Sequence, residues 1–576
     1  MVSAMVPAAA STGCGVGGGM RIRSIVVALV LVAATSLGAV VAASAQEAGP
    51  ALPPLPYPIL KQLHANPQAW QKFLAEHQAR PAPSTLAAPP SGTPAWQLLK
   101  HLLPNGLPAS NPLLQTDGTV LVHVSCTPDW YRLTPDITGS YVNGTWSQIA
   151  AMPAAYAPRF FASGVLPDGR VIVEGGEYGD HAGKTCQDVE TTLGAIYNPT
   201  TNSWKSVAHP SGWNTIGDAS STLLTNGVYL LSNCCTTQLA FLNANTLAWT
   251  ATGANKFDLN NEENWSLLPN GDVLTVDAYV GTGTCGRNTE EYVPTTGKWQ
   301  FTGTTPAELS ACAGAVQTFE APTQILRPNG LVHAFGATVS KNNLPVHTAI
   351  YNTANRTWSA GPNMPKVGTT NYTMADAPAA ILPNGNVLIG ASPAVWQATN
   401  SYPQPTHFFI FNGSTFTQIG DFNDSPGLSS YEVNFLVLPT GQILGVETDA
   451  PNMQVLPAQG TANAAWKPVL TGLSSSPYTP GQSYIVQGKQ LSGRTQGATY
   501  GDDVQANTNF PLVRIVNNQT KHVFYARTHG FTSASVAANV ASQTNFTVPT
   551  NIESGASTLY VVANGIASQG AAVTIQ

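Results

Sequence analysis

Charge is what this sequence has least of. Of its 576 residues, 24 are Lys or Arg and 30 are Asp or Glu, which makes 9% charged, against about 25% in an ordinary soluble domain. A net charge of −6, with no basic cluster beyond the first thirty residues, argues against a nucleic-acid surface. Cysteine is also scarce, at seven residues, and no spacing among them matches a zinc site. After residue 45 no apolar run has the length to cross a bilayer. Asn, Thr, Ser, Gly and Pro stand where charge is missing, a balance that suits turn-rich β structure.

Residues 1–45 read as a signal peptide preceded by an upstream extension. Arg21 and Arg23 supply the positive start, "SIVVALVLVAATSLGAVVA" the apolar run, and Ala43-Ser44-Ala45 a small-residue cleavage site. An uncleaved anchor is the alternative, which the run is just long enough to permit. Cleavage predicts a secreted protein, extracellular or periplasmic, with no stable membrane span. Export permits disulfides. Cys126, Cys186, Cys234, Cys235, Cys285 and Cys312 remain after cleavage, an even set whose pairing the spacing leaves open.

Residues 46–105 form a helical and Pro-rich extension, in which "AWQLLKHLL" has the look of a short helix. Across 106–469 one unit recurs: apolar strand, glycine turn, apolar strand. The turn glycines are Gly118, Gly169, Gly227, Gly271, Gly330, Gly385 and Gly441, at intervals close to the ~50-residue kelch period. Between them stand seven aromatics, Trp146, Trp204, Trp249, Trp299, Trp358, Phe416 and Trp466, each just after a turn. A four-stranded repeat cannot bury both faces alone, so neighbours stack radially. The fold class read from this is all-β, a seven-bladed kelch-type β-propeller. The last blade is completed either by its own chain or by an N-terminal strand. Residues 470–576 alternate in short strands, as an immunoglobulin-like β-sandwich does.

The stretches "SYEVNFLVLPTGQIL", "RTHGFTSAS" and "NFTVPTNIESGASTLYVVANGIAS" resemble the galactose oxidase-like copper radical oxidases. The likeness runs from about residue 111 to the end. It implies a copper held by a tyrosine and two histidines, one of them carried by a sandwich loop inserted toward the propeller axis. It also implies a radical on a second tyrosine cross-linked to cysteine. Tyr431 and His529 fall on two ligand positions. The histidine beside the tyrosine is Glu432 here, and Arg159-Phe160 stands where the cross-linked tyrosine would be, with no cysteine at the partner position. Copper(II) favours imidazole over carboxylate, and phenylalanine forms no tyrosyl radical. Copper is therefore not expected, and copper radical oxidation of an alcohol or carbohydrate stands only as the family's default.

Glu432 belongs to a second pattern. The two positions lying eight and seven residues before each turn proline, or its equivalent, head the innermost strand of a blade. Across seven repeats they include Asp218, Glu262, Glu320, Asp376 and Glu432, against about 0.7 acids expected from composition. Carboxylates gathered round one axis repel and resist burial. They call for a hard divalent cation such as Ca²⁺, for raised pKa values that give a general acid beside a base, or for separation by water. The bland alternative is a solvated rim. Glu320 stands one position out of phase with the others, and an arginine at the position of Arg159 more often packs a blade than binds a ligand.

The candidate site follows. Glu432, Asp376, His529 and Tyr431 are the catalytic candidates; Glu320, Glu262, Asp218 and Arg159 the ligand-binding ones; Glu432, Asp376 and Glu262 the metal ligands. All six cysteines are expected around the same mouth. The function expected is binding or processing of a carbohydrate-like ligand there by a monomer, with carboxylate chemistry if it is an enzyme. The rival is a non-catalytic binding or scaffold module holding a structural cation.

Overall fold

The computed structural model describes residues 92–181, 184–234, 236–278, 287–310, 320, 322–395 and 403–576. The signal-peptide reading, the extension to residue 91, and Cys235, Cys285 and Cys312 lie outside the described residues. The described residues are all-β; their only helical pieces are four short 3-10 turns. No helix among them is long and apolar enough to cross a membrane.

Each glycine turn joins two buried strands as the pattern requires. The seven turn glycines have φ between +76° and +93°, where a side chain would be strained. Six repeats form separate four-stranded antiparallel sheets, headed by Ala109–Leu114, Ala162–Val165, Ser221–Leu223, Ser266–Leu267, Gln324–Leu326 and Val433–Val437. These heading strands are buried and neighbour one another around the centre. The outer-strand tryptophans bridge repeats, as Trp204 does by packing on Trp130 at 5.5 Å and donating to the Ala150 carbonyl at 2.8 Å.

The structure departs from seven equal blades. It forms six, because the remaining repeat, Pro378–Ile381 to Phe416–Gln418, is absorbed into a seven-stranded sheet. Thr370–Thr373 pairs with the far end of Val387–Pro393, and Ala498–Tyr500 from the C-terminal region pairs with Pro378–Ile381. A second departure is "AWQLLKHLL", which holds a strand and no α-helix. Gln97–Leu98 pairs with Met453–Leu456 and completes that sheet from the N-terminal side. Trp96 sets this pairing, wedged edge-on between Phe408 at 5.3 Å and Phe422 at 4.7 Å. Trp466, expected on an outer strand, lies instead in the 3-10 turn Ala464–Trp466 and covers Gly385.

From Val469 onward eight strands form a separate β unit around Tyr478, Val486, Val513, Ile515, Phe546 and Val561. It docks on the glycine-turn end of the propeller: Thr528 N–H donates to the Thr116 carbonyl at 3.1 Å and Gly530 N–H to that of Pro167 at 2.6 Å. From there one finger of chain, residues 495–510, enters between the heading strands. Ala498–Tyr500 runs antiparallel to Pro378–Ile381, with Tyr500 opposite Pro378, so the finger's tip emerges at the strand-start end. Amides line its path. Gln505 Oε1 accepts from Ser163 N–H at 3.3 Å and Ser221 Oγ at 2.8 Å. Gln496 Oε1 accepts from Leu267 N–H at 2.7 Å, and Asn264 Nδ2 donates to Thr499 Oγ1 and the Gly501 carbonyl, both at 2.6 Å.

Candidate functional site

The strand-start end is where the acids meet. Glu262 and Asp376 occupy the same position in their repeats, as Phe160 does in its own, and all three have left-handed backbone, with φ of 50°, 43° and 50°. For a residue with a Cβ this costs about 1–2 kcal/mol, and its recurrence shows the bend to be built into the entry of the strand. Strained backbone of this kind is retained where a side chain must be aimed. Glu320, out of phase in sequence, joins the same group: oxygens of Glu262, Glu320 and Asp376 all lie within 4.8 Å of one another. A second group of the same spread unites Asp218 and Glu262 with Asp502, at the tip of the finger. Asp503 follows it and is 1% exposed.

Polar atoms in this cluster lack partners. Glu320 Oε2, Asp376 Oδ1, Asp502 Oδ2 and Asp503 Oδ2 are buried without a hydrogen bond, although buried polar atoms are almost always satisfied. Burial is the main cause of raised pKa values throughout. Asp218 and Asp376 are each pushed up to about 6. Burial and then the charges of Glu320, Asp218 and Asp376 raise Glu262 well above the ordinary range, and burial and then Asp376 does the same to Glu320. Asp502 is raised by burial and then by Glu262 and Asp218. Gly501 lets the finger pass, since a Cβ there would stand 2.5 Å from Asp376 Oδ1.

The other expected site residues are placed differently. Tyr431 and Arg159 lie beside the cluster, in a group of their own with Asp449 and Phe160. Arg159 pairs with Asp449 at 2.6 Å and stacks on Phe160, 4.4 Å from the ring centre. The Tyr431 phenol is pushed far up, by burial first and then by Glu432, against the lowering effect of Arg159. Tyr500 links the two groups by donating to the Tyr431 carbonyl at 2.8 Å. Glu432 is not grouped with the other acids. It serves as a capping residue, its Oε2 accepting from Ser429 N–H at 2.8 Å at the start of the 3-10 turn Ser430–Glu432. The turn replaces the strand start that the repeat predicts, and it redirects the carboxylate.

His529 does not reach the axis. It ends Val523–His529, whose burial alternates, and its ring falls on the outward side with Ser483 Oγ at 3.5 Å and Thr547 Oγ1 at 3.3 Å. Burial lowers its pKa, and the further charges acting on it are Arg527 and Asp168. Asp168 belongs to a glycine turn, at the opposite end of the blades from Asp376. The inserted element expected from the C-terminal unit exists, but it is the finger at 495–510, and it carries two aspartates in place of an imidazole. A signal for it was present in "ATYGDDVQANTNF": adjacent acids in a charge-poor chain, within the longest stretch of the C-terminal unit that does not alternate.

Two further groups flank the cluster. Cys126 and Cys186 form a disulfide beside Tyr178 and Phe160. Cys234 Sγ lies 3.3 Å from Glu190 Oε2, close to Asp218. Glu263, next to Glu262, points the other way. It meets Lys256 Nζ at 2.6 Å in a fully buried cage completed by Asp277 and by Glu290 at 3.1 Å. That lysine is committed inside its own blade.

No protein-family model matches the chain, and no curated protein matches it by sequence. Solved structures do. A fungal alcohol oxidase of the AA5 family, in complex with copper, aligns at 13% identity with a TM-score of 0.47, over 84% of this chain and 100% of that one. A streptogramin B lyase aligns at 12% identity and a TM-score of 0.41, over 63% and 98%. An extracellular domain of a one-component system from B. thetaiotaomicron aligns at 11% and 0.40, over 83% and 59%.

Proposed function

We propose that this protein binds a hard divalent cation of the Ca²⁺ class at the axial acid cluster and presents it to a polyhydroxylated, carbohydrate-like ligand at the propeller mouth. The observation that carries the reading is the meeting of Glu262, Glu320 and Asp376 within 4.8 Å, with buried oxygens left without partners. Oxygen donors of this kind match Ca²⁺, and vicinal hydroxyls of a sugar are the same donor type. The kelch-type ring, the immunoglobulin-like reading of the C-terminal unit and the secreted, monomeric state belong to the same proposal. The Cys126–Cys186 disulfide supports an oxidising compartment.

Copper chemistry does not suit these residues. The Tyr431 phenol has a guanidinium, Arg159, as its neighbour, and His529 keeps company with Ser483, Thr547 and Asp168. A catalytic variant of the reading is favoured by one observation: Asp376 at about 6 adjoins Glu320, which lies well above the ordinary carboxylate range. Two adjoining carboxyls whose surroundings raise them to different degrees are the arrangement of a base next to an acid. The test is metal analysis of the purified mature chain, then a glycan panel run with Ca²⁺ and with chelator. Bound calcium and chelator-sensitive glycan retention are expected, with calcium uptake reduced and glycan retention lost in Asp376→Asn. A metal-free protein that takes up no divalent cation on titration refutes the proposal.

A further inference from the structure

We infer that the axial cluster is a two-cation site, with the Glu262 carboxylate as the bridge and the C-terminal finger supplying the ligand that completes the second position. The inference rests on the cation reading above and goes beyond it in number, geometry and domain origin. Two separate triads exist, Glu262–Glu320–Asp376 and Asp218–Glu262–Asp502, and the residue they share is Glu262. In each, the oxygens lie within 4.8 Å of one another, about twice a Ca–O bond of ~2.4 Å and so the width of one cation's shell. A shared carboxylate has two oxygens and can serve a cation on either side, the arrangement of two-metal sites with ions about 3.5–4 Å apart.

Each triad has its own unmet demand. Glu320 Oε2 and Asp376 Oδ1 are the orphans of the first, Asp502 Oδ2 that of the second; Glu320 is 9% exposed and Asp502 3%. Charge points the same way. Six ionised carboxylates, Asp503 included, keep a residual charge of about −4 after one divalent ion and about −2 after two, and burial penalises the former more heavily. The second position exists only when the finger is seated, because Asp502 follows the strand Ala498–Tyr500 that pairs with Pro378–Ile381.

The experiment is a Ca²⁺ titration of the chelator-stripped mature protein, followed by calorimetry and native mass spectrometry. Two Ca²⁺ per chain are expected. Asp502→Asn should fall to one, keeping the affinity of the Glu262–Glu320–Asp376 position within about threefold, and Glu262→Gln should weaken both by more than about tenfold. Mn²⁺-loaded wild type provides a readout free of variants: a neighbouring pair gives an exchange-coupled electron paramagnetic resonance spectrum, isolated ions six lines. One Ca²⁺ per chain with a six-line Mn²⁺ spectrum overturns the two-cation site and leaves the single-cation reading standing. No uptake of either ion overturns both.

Discussion

Glu262→Gln provides a test in which the sign of the effect reverses with the medium. The substitution preserves size and the left-handed backbone at φ 50° while removing one charge that two triads share. Two ionised oxygens at the 4.8 Å limit of the cluster repel by about 3.5 kcal/mol at an effective dielectric of 20. Protonation relieves part of this, since burial already holds Glu262 and Glu320 well above ordinary carboxylates. The metal-free variant should therefore be more stable than metal-free wild type, by about 1–3 kcal/mol. With cation present the order reverses. A ligand at a hundred times its Kd stabilises the form that binds it by about 2.7 kcal/mol, a gain wild type should show and the variant should lack. Calorimetric melting in EDTA and in millimolar Ca²⁺ reads all four states. If the variant melts below wild type by the same interval in both media, the glutamate acts as an ordinary packing residue and the electrostatic account is wrong.

Three further outcomes follow from geometry elsewhere. Lys256→Met should lower stability by about 3–5 kcal/mol, because Glu263, Asp277 and Glu290 would be left buried around an absent ammonium; a loss under about 1 kcal/mol in urea unfolding would contradict the cage. His123 and His333 are both buried and pushed down to about 3. The unfolded chain takes up protons below about 6.5 while the folded one does not, so stability falls as pH drops through that window, by about 2 kcal/mol per histidine at pH 5. His123→Gln should flatten the pH 5–7 melting profile in cation-free buffer. Replacing Cys126 and Cys186 by Ser opens a loop of 60 residues and should remove about 4 kcal/mol on the chain-entropy estimate, visible as a lower urea midpoint.

The repeat was legible because its signals are local. A glycine turn needs positive φ whatever surrounds it, and an apolar strand on each side of it reads the same in every unit. The division of sheets was not legible, since it depends on Ala498–Tyr500 pairing with a strand more than a hundred residues earlier. The acids divide along the same line. Asp218, Glu262 and Asp376 share a position relative to their turns, and the fold keeps them together. Glu432 shares that position too, but Ser429 three residues before it creates a capping box, a local contest that the repeat pattern does not register. Glu320 joined from the wrong phase.

The placement of His529 and of Asp502 has one cause. The C-terminal unit docks at the glycine-turn end of the propeller, through Thr116 and Pro167, while the acids collect at the strand-start end. A residue on one of the unit's own strands, as His529 is, can reach the near end and no further. Only a segment that threads the centre spans the blades, and a strand rises about 3.3 Å per residue, so a few residues suffice. Residues 498–503 do this, held edge to edge on Pro378–Ile381 and guided by Asn264 and Gln505. Such a path excludes bulk at the tip, which is why Gly501 passes Asp376 and the residue after it can deliver a carboxylate. The position available to a long-range partner at this mouth is thus set by the docking end, and a finger that carries Asp-Asp brings negative charge to a place already rich in it. On the proposed reading, a bound ion balances that charge; without one, the raised pKa values of Glu262, Glu320 and Asp502 have to carry the balance by protonation.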